Sequence, residues 1–402
     1  MLHHLPCNLC LAVMVMLAGW FQATSLPAQE LNKTDGKTDG FPSQVLTSLE
    51  WKEVDQSIEK AISWLKGQQK SDGSFPSLKH GQPGVTSLCM LAFLSQGNLP
   101  GEGKYGEQLQ LALEYILSCQ KRSGIVALAA PNQKNISRRI DHETGYTLVY
   151  NHALGSLVLS ECYSMASAAQ TDEQTDEMRQ AIEKALDATF QMQDFRRSRK
   201  VDAGGWRYLD IAETPDADLS VTAWQLMFMR SAKNAGFDVP EERIDRATKY
   251  VRRCFLKDRG TFSYKAGFKD RPSRGMAGAG ILALAHSGEH DLEESQQAGD
   301  WILKSGFYSY NNIGRVKDIV HQGDRYHYGL LTCSQAMYQL GGRHWREFFP
   351  PTARVLMENQ NANGSWKAEK MHSDGRFGNA YTTAIGVLTL SASNDLLPIF
   401  QR

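Results

Sequence analysis

Two carboxylates near the middle of the chain are spaced for acid chemistry. Asp216 and Asp218 flank a single alanine, directly before an apolar segment at 219–235. A carboxyl group held protonated in a dry pocket can act as a general acid. An Asp that precedes a helix also caps it, because its side chain accepts a hydrogen bond from a backbone N–H of the first turn. Both are catalytic candidates, but capping is the simpler interpretation of Asp218. A pure cap predicts that Asp218→Asn leaves stability nearly unchanged, whereas Asp218→Ala costs about 1 kcal/mol.

Aromatic and imidazole side chains near the starts of apolar segments form a second candidate set. They could line a cavity, stabilise a cation with their π faces, or act as acid and base on a sugar. Buried, hydrogen-bonded aromatic residues would show the same pattern. The candidate ligand-binding residues are His142, Tyr146, Tyr150, His152, Trp206, Arg207, Tyr208, Tyr326, His327, Tyr328 and Tyr381.

The elements that must position these side chains form a repeat. In each unit, a segment with one apolar stripe leads through a glycine-aromatic turn into a segment that is apolar on nearly all sides. Six units pair striped segments at 58–65, 109–119, 178–192, 244–255, 298–302 and 353–360 with apolar segments at 85–94, 146–168, 219–235, 276–286, 328–340 and 381–390. Two concentric rings of helices, with the apolar ones inside, satisfy both patterns. The predicted fold is all-α, an α/α toroid of about six helical hairpins, and an open solenoid is the alternative.

The composition is that of an ordinary globular protein. The 402 residues are 42% hydrophobic and 22% charged, and the formal net charge is zero. A neutral chain does not indicate a nucleic-acid partner, which needs a basic surface. Five cysteines beyond the N-terminal region are scattered through apolar segments, which predicts buried thiols rather than a disulfide framework.

The N-terminus has the features of an export signal. An apolar run at 9–19 is followed by small residues up to Ala28, a pattern typical of a secretory signal peptide. We predict a signal peptide at 1–28, a flexible linker at 29–50 and the toroid domain at 51–402. The mature protein is then periplasmic or secreted and has no membrane span, since no later apolar run approaches the roughly 20 residues that a span needs. An uncleaved anchor is the alternative.

The repeat resembles that of a known family. The motifs QQKSDGSF at 68–75 and QNANGSW at 360–366 resemble the Gln-to-Trp turn of squalene-hopene cyclases and the matching turns of protein prenyltransferase β subunits. The phrases GWRY at 205–208 and SVT at 220–222 are similar to those of exported bacterial prenyltransferase/squalene-oxidase-repeat proteins. The resemblance covers about 57–390. It implies an α/α toroid whose central cavity holds an isoprenoid.

The sequence carries the catalytic motifs of these families incompletely. Class II terpene cyclases protonate an alkene with the middle carboxyl of an Asp-x-Asp-Asp motif, but Leu219 replaces the last carboxylate here. Protein prenyltransferases bind zinc through an Asp-x-Cys pair and a distant His. No Asp-x-Cys pair occurs in this sequence, and the spacing of Asp324, His327 and Cys333 does not place them on one helix face. We predict no metal and no cofactor, and enzymatic activity stays open.

The long loops predict a basic rim. Each joins a striped segment to the next apolar one, so a closed toroid gathers them on one rim, beside the positive ends of the inner-helix dipoles. These loops carry Arg138, Arg139, Arg196, Arg197, Arg199, Lys200, Lys269, Arg271 and Arg274. Such a rim suits an anionic group, and ordinary solvated loop charge is the alternative.

Three functions are consistent with these patterns. The first is an exported toroid protein that binds or transforms an isoprenoid, or another small apolar or anionic ligand, in its cavity. The second is a carbohydrate-active (α/α)-barrel enzyme that uses Tyr and His on an anionic glycan, and the third is a non-catalytic interaction scaffold. The cavity discriminates among them, because an aromatic, dry cavity favours isoprenoid, an open polar groove favours glycan and a filled cavity favours a scaffold. No oligomeric state is predicted.

Overall fold

The computed structural model describes residues 45–165, 171–211, 216–269, 272–289, 292–312, 315–316, 319–320, 324–370 and 372–401. The predicted signal peptide at 1–28 and most of the predicted linker at 29–50 lie outside the described residues. The first helix begins at Ser48, inside the predicted linker. Thr47 caps it through a capping box, in which Thr47 and Glu50 bond reciprocally to each other's backbone N–H.

The described part of the chain forms twelve α-helices and two short antiparallel ribbons. The helices are α1 Ser48–Gln68, α2 Gly84–Leu94, α3 Gly106–Ser118, α4 His142–Ser164, α5 Asp172–Gln193, α6 Leu219–Asn234, α7 Glu241–Arg253, α8 Arg274–His286, α9 Glu293–Lys304, α10 Tyr326–Leu340, α11 Gly342–Glu358 and α12 Gly378–Leu390. The ribbons pair β1 Phe255–Leu256 with β2 Thr261–Phe262, and β3 Arg315–Val316 with β4 Ile319–Val320.

The helices build two concentric rings, as the sequence predicts. The even-numbered helices are the apolar ones and form the inner ring, in which each contacts the next and α12 contacts α2. Every residue of α2 is buried, whereas α7 buries one stripe that includes Ile244, Ala247 and Val251. The ring is closed, which excludes the open solenoid.

The glycines of the repeated turns allow the hairpins to pack closely. Gly73 has a φ of +84°, and a Cβ at this position would lie 2.1 Å from the carbonyl oxygen of Leu111 on the next outer helix. Gly364 has a φ of +91°, and its Cβ would lie 2.4 Å from the carbonyl oxygen of Lys60 on α1. Only glycine fits this conformation at this distance. The last turn therefore packs on the first helix as the first turn packs on α3.

The glutamines of the same turns bond the hairpins together. Gln69 Nε2 donates to the carbonyl oxygens of Gly73, at 2.9 Å, and of Gln108 on α3, at 2.7 Å. Gln360 repeats this contact across the ring closure, donating to the carbonyl oxygens of Gly364, at 2.9 Å, and of Ser57 on α1, at 2.8 Å. One side chain thus fixes the turn and attaches the next outer helix.

The C-terminal segment covers one end of the inner ring. Ile399 N donates to Glu161 Oε2 at 3.2 Å, and Gln339 Nε2 donates to the carbonyl oxygen of Phe400 at 2.7 Å. The Phe400 ring packs on His286, with 6.2 Å between ring centroids. These contacts reach α4, α8 and α10, so the space inside the ring opens at the opposite end, where the inner helices begin.

The described residues contain no helix that is both long and apolar enough to cross a membrane. The five cysteines beyond the N-terminal region, Cys89, Cys119, Cys162, Cys254 and Cys333, are free thiols and are buried. In the same part of the chain, no group of three or more His, Cys, Asp or Glu side chains is arranged to hold a metal ion.

Candidate functional site

A cavity of about 380 Å³ opens where the inner helices begin. This volume lies within the range of small-molecule sites. Beyond the first turns of the inner helices the wall is apolar and is formed by Leu88, Leu154, Trp224, Leu331 and Ile385, while Val85 and Met276 line the cavity from the first turns of α2 and α8. Its mouth is polar and aromatic, and includes Tyr146, Tyr150, Arg207, Tyr208, Ser220, Tyr264, Arg325, Tyr328, Asp374 and Tyr381. The lining is therefore divided by depth into an apolar floor and a mouth of phenols and ion pairs.

Arg207 is the buried cation at one side of the mouth. Its Nε lies 3.1 Å from Asp216 Oδ1, and its Nη1 lies 2.9 Å from Asp218 Oδ2. The same Nη1 donates to Tyr264 Oη at 2.7 Å, and the guanidinium carbon lies 4.3 Å from the centre of the Tyr208 ring. Two carboxylates and two phenols therefore hold the guanidinium in one position.

Asp218 caps α6, which confirms the capping interpretation. Its Oδ1 accepts from Val221 N at 2.9 Å and from Ser220 Oγ at 2.7 Å, while its Oδ2 faces Arg207. The side chain is fully buried, and Lys265 Nζ pairs with the neighbouring Asp216 at 2.8 Å. Neither carboxylate is among the residues that line the cavity.

Three tyrosine hydroxyls continue from Arg207 along the mouth. Tyr264 Oη lies 2.7 Å from Tyr208 Oη, and Tyr150 Oη lies 3.4 Å from Tyr208 Oη and 2.6 Å from Ser220 Oγ. Burial raises the pKa of Tyr150 and of Tyr208 well above the usual range for a phenol. These hydroxyls therefore keep their protons at neutral pH and act as hydrogen-bond donors.

A second ion pair lies on the other side of the mouth. Arg325 Nη1 pairs with Asp374, and its Nη2 lies 3.3 Å from Tyr146 Oη. Tyr328 lines the cavity from α10, and its hydroxyl is buried without a hydrogen-bond partner in the described part of the chain. The mouth therefore presents paired charges and at least one phenol donor with no protein acceptor.

Six of the predicted ligand-binding residues meet at the cavity, and five do not. The six are Tyr146, Tyr150, Arg207, Tyr208, Tyr328 and Tyr381. His142 lies at the outer rim, where its exposed ring pairs with the buried Asp210. Trp206 is fully buried beneath the turn and donates from Nε1 to the carbonyl oxygen of Thr189 at 2.9 Å. His142 therefore stabilises the rim and Trp206 stabilises the turn, and neither lines the cavity.

His152, His327 and Tyr326 are also buried outside the cavity. His152 Nδ1 accepts from Val126 N at 3.2 Å, its Nε2 bonds Thr189 at 2.9 Å, and burial lowers its pKa to about 3. His327 lies between Glu369, 3.0 Å from Nδ1, and Tyr310, 3.1 Å from Nε2. Tyr326 packs against Phe307. The two histidines are therefore buried and hydrogen-bonded, whereas Tyr326 is buried by packing and its hydroxyl has no hydrogen-bond partner in the described part of the chain.

Three important residues of the mouth are not among those predicted from the sequence: Tyr264, Arg325 and Asp374. Tyr264 carries a signal that was available, because it follows the turn aromatic Phe262 by two residues, as Tyr208 follows Trp206. Arg325 directly precedes α10, and Asp374 lies in a short 3₁₀ helix before α12. No sequence pattern marks them. The two residues come from consecutive units, and the closed ring brings Arg325 to Tyr146 of the second unit.

Part of the predicted basic rim is bonded to the protein. Arg199 pairs with Asp202 at 2.6 Å, and the buried Arg274 pairs with Asp324 at 2.6 Å. Arg197 Nη2 donates to the carbonyl oxygen of Gly205. Another predicted cation, Arg271, lies outside the described residues. The engaged side chains brace loops, which weakens the expectation of an anion-binding rim.

Comparisons with known proteins find similarity of fold but not of sequence. No protein-family model matches the chain, and no curated protein matches it in sequence. Among solved structures, the chain is similar to a type II terpene cyclase, MstE from Scytonema, in complex with its substrate geranylgeranyl dihydroxybenzoate. The TM-score is 0.52 at 15% identity, over 88% of this chain and 100% of that chain.

A second similarity is to glycosidase structures. One matches with a TM-score of 0.56 at 11% identity, over 88% of this chain and 100% of that chain. Another, in complex with glucose, gives the same values of 0.56, 11%, 88% and 100%. At such identities the likeness concerns the fold alone. The protein is an all-α toroid of the architecture shared by these cyclase and glycosidase structures.

Proposed function

We propose that this protein binds a small isoprenoid-type molecule in the cavity, with the apolar chain on the floor and the polar end at the mouth. The observation that carries the proposal is the division of the lining, since Leu88, Trp224 and Leu331 lie deep and the phenols lie at the entrance. Burying an apolar chain against such a floor contributes about 25 cal/mol per Å² of apolar area. The C-terminal segment packs across the far end of the inner ring, so we expect the chain to enter from the mouth.

The similarity to a terpene cyclase supports this ligand class. The structure of that cyclase contains geranylgeranyl dihydroxybenzoate, a molecule that combines an isoprenoid chain with a polar ring. The position of Asp218 behind Arg207 argues against acid-initiated cyclisation, because its carboxylate accepts bonds and does not line the cavity. Binding is therefore the function that we propose, without a cyclisation step at Asp218.

A titration tests the proposal directly. Geraniol, farnesol and geranylgeraniol are titrated into the full chain by calorimetry, with maltose and polygalacturonate as comparison ligands. We expect at least one prenyl alcohol to bind and the saccharides not to bind. Met276→Trp should weaken prenyl binding at least tenfold because the larger side chain fills part of the cavity, whereas Leu111→Trp, at a partly exposed site on α3, should not. No binding of any prenyl alcohol contradicts the proposal.

A carbohydrate-active enzyme is the second candidate, and one arrangement at the mouth favours it. The exposed His142 lies beside Tyr146, with 6.1 Å between ring centroids, and Arg325 lies 3.3 Å from the Tyr146 hydroxyl. A Tyr and His pair beside an Arg could abstract a proton from a uronate. Hydrolysis is less well supported, because Asp374 is the single carboxylate among the described lining residues, whereas most glycosidases use two.

The two candidates give different products. A lyase converts polygalacturonate into an unsaturated sugar that absorbs ultraviolet light, and Tyr146→Phe should abolish that absorbance. If no unsaturated product forms and a prenyl alcohol binds, the lyase candidate is excluded and the isoprenoid-binding site is supported. A scaffold without a ligand is not favoured, because the cavity is not filled by side chains.

A further inference from the structure

The polar groups at the mouth form a closed ring of hydrogen bonds. The ring, which we call the hydroxyl ring, consists of Asp218, Arg207, Tyr264, Tyr208, Tyr150 and Ser220. Going round, the distances are 2.9, 2.7, 2.7, 3.4 and 2.6 Å, and the return from Ser220 to Asp218 is 2.7 Å. Five contacts are within hydrogen-bond range, and the contact between Tyr208 and Tyr150 is longer than the usual 2.5–3.0 Å for O–H···O.

The direction of each proton follows from the charged members. Ser220 donates its proton to the Asp218 carboxylate, so its oxygen accepts the proton of Tyr150. Tyr264 accepts from Arg207 and shares one proton with Tyr208 at 2.7 Å. Tyr208 and Tyr264 carry two hydroxyl protons, but the contact between them uses only one of these protons. Within the described residues, the ring thus holds one hydroxyl proton more than it has acceptors at normal distance.

The long contact is therefore a gap with a donor on one side and an acceptor on the other. When Tyr264 donates to Tyr208, the Tyr208 proton is available at the gap. Tyr150 has already given its proton to Ser220, so its oxygen offers a lone pair there. Both tyrosines line the cavity. A buried donor without an acceptor is unfavourable, so a ligand atom that completes the ring is stabilised.

The charges at the mouth do not favour an anion. Arg207 and Lys265 are matched by Asp216 and Asp218, and Arg325 is matched by Asp374. A carboxylate or diphosphate entering here meets guanidinium groups that already have anionic partners. Its desolvation is then not offset by an unpaired cation.

We propose that the gap between Tyr150 and Tyr208 is the head-group subsite, and that it selects an alcohol. The ligand hydroxyl accepts a hydrogen bond from Tyr208, donates one to Tyr150 and so completes the hydroxyl ring. This assignment rests on the proposed function of the cavity and names the head group of its ligand. An ether of the same chain accepts but cannot donate, and an acid brings a charge that the mouth does not neutralise.

Three ligands with one chain test the head group. Farnesol, farnesyl methyl ether and farnesoic acid are titrated into the full chain at pH 8. We expect farnesol to bind about five- to tenfold more tightly than the ether, the effect of one neutral hydrogen bond, and at least as tightly as the acid. An ether or an acid that binds more tightly than farnesol overturns the assignment. If none of the three binds, the proposed function fails and the subsite falls with it.

Variants of the gap locate the effect. In Tyr208→Phe and in Tyr150→Phe, the ratio of the dissociation constants of ether and alcohol should fall to within about twofold, since the ring can no longer be completed. Tyr326→Phe is the matched control, because this buried tyrosine lies outside the cavity lining, and it should keep the wild-type ratio. A ratio taken on one variant cancels any loss of folded protein. If farnesol is preferred equally in all variants, the gap is not the head-group subsite.

Discussion

Replacing Asp218 by Asn removes a negative charge from a fully buried ion pair. The Asn oxygen can still accept from Val221 N, so the cap is retained, but the amide nitrogen then faces the Arg207 guanidinium, donor against donor. Hydrogen bonds to charged groups contribute about 1.5–3 kcal/mol, and Arg207 keeps its contact with Asp216. We expect a loss of about 2–3 kcal/mol in the free energy of unfolding, less than the roughly 3–5 kcal/mol of a buried pair broken completely.

This expectation differs from that of a pure cap, and Asp141→Asn is the matched control. Asp141 caps α4 by accepting from Thr144 N at 3.0 Å and is solvent-exposed. Asn at this position should change stability by less than about 0.5 kcal/mol. Equilibrium urea unfolding at neutral pH, with m-values compared between variants, measures both changes. If the two substitutions have equal effects, the pair with Arg207 contributes nothing and the reasoning is wrong.

The remaining predictions concern the closed end, the helix packing and the N-terminus. Burial raises the pKa of Glu161 to about 7, above its usual 4.5. The folded state therefore holds this proton more tightly than the unfolded chain, and stability falls as pH rises between these values. From pH 5 to 8, wild type should lose about 2–3 kcal/mol more than Glu161→Gln in urea unfolding, and parallel pH profiles would contradict this. Gly278→Ala should cost about 1–3 kcal/mol, because its Cβ would lie 2.6 Å from the backbone of Thr332. A Cβ at Gly67 would meet open space, so Gly67→Ala should raise the free energy of unfolding by up to about 1 kcal/mol. If Gly278→Ala has little effect on stability, the close approach of α8 and α10 is contradicted. Cell fractionation should find the protein outside the cytoplasm with 1–28 removed, and full-length cytosolic protein would exclude export by this route.

The ring architecture could be predicted because each hairpin repeats two distinct apolar patterns. The stripe of Ile244, Ala247 and Val251 can bury only one side of α7, while α2 has no polar side to expose. Closure could not be predicted from periodicity, because it depends on a contact between the ends of the repeat. The glutamine of the turn marks the closing contact once the structure is known, because Gln360 bonds to α1 in the same way that Gln69 bonds to α3.

The site was predicted in part because the inner helices begin at the cavity mouth. Tyr146 and Tyr150 are four residues apart and share the inward face of α4. His152 follows Tyr150 by two residues, so it points to the other side of the helix and meets Thr189. An inner helix is apolar on both faces, so the pattern does not show which side faces the cavity. Arg325 and Asp374 lie before α10 and α12 rather than within them, so the helix pattern does not mark them.

A crystal structure of the protein grown with farnesol tests the central claim most directly. The account predicts electron density for the chain along Leu88, Trp224 and Leu331, with the alcohol oxygen within hydrogen-bond distance of both Tyr150 and Tyr208. The same crystals without farnesol should lack the density of the chain. Farnesol found only outside the cavity, or lying with its oxygen on the apolar floor, would contradict the account.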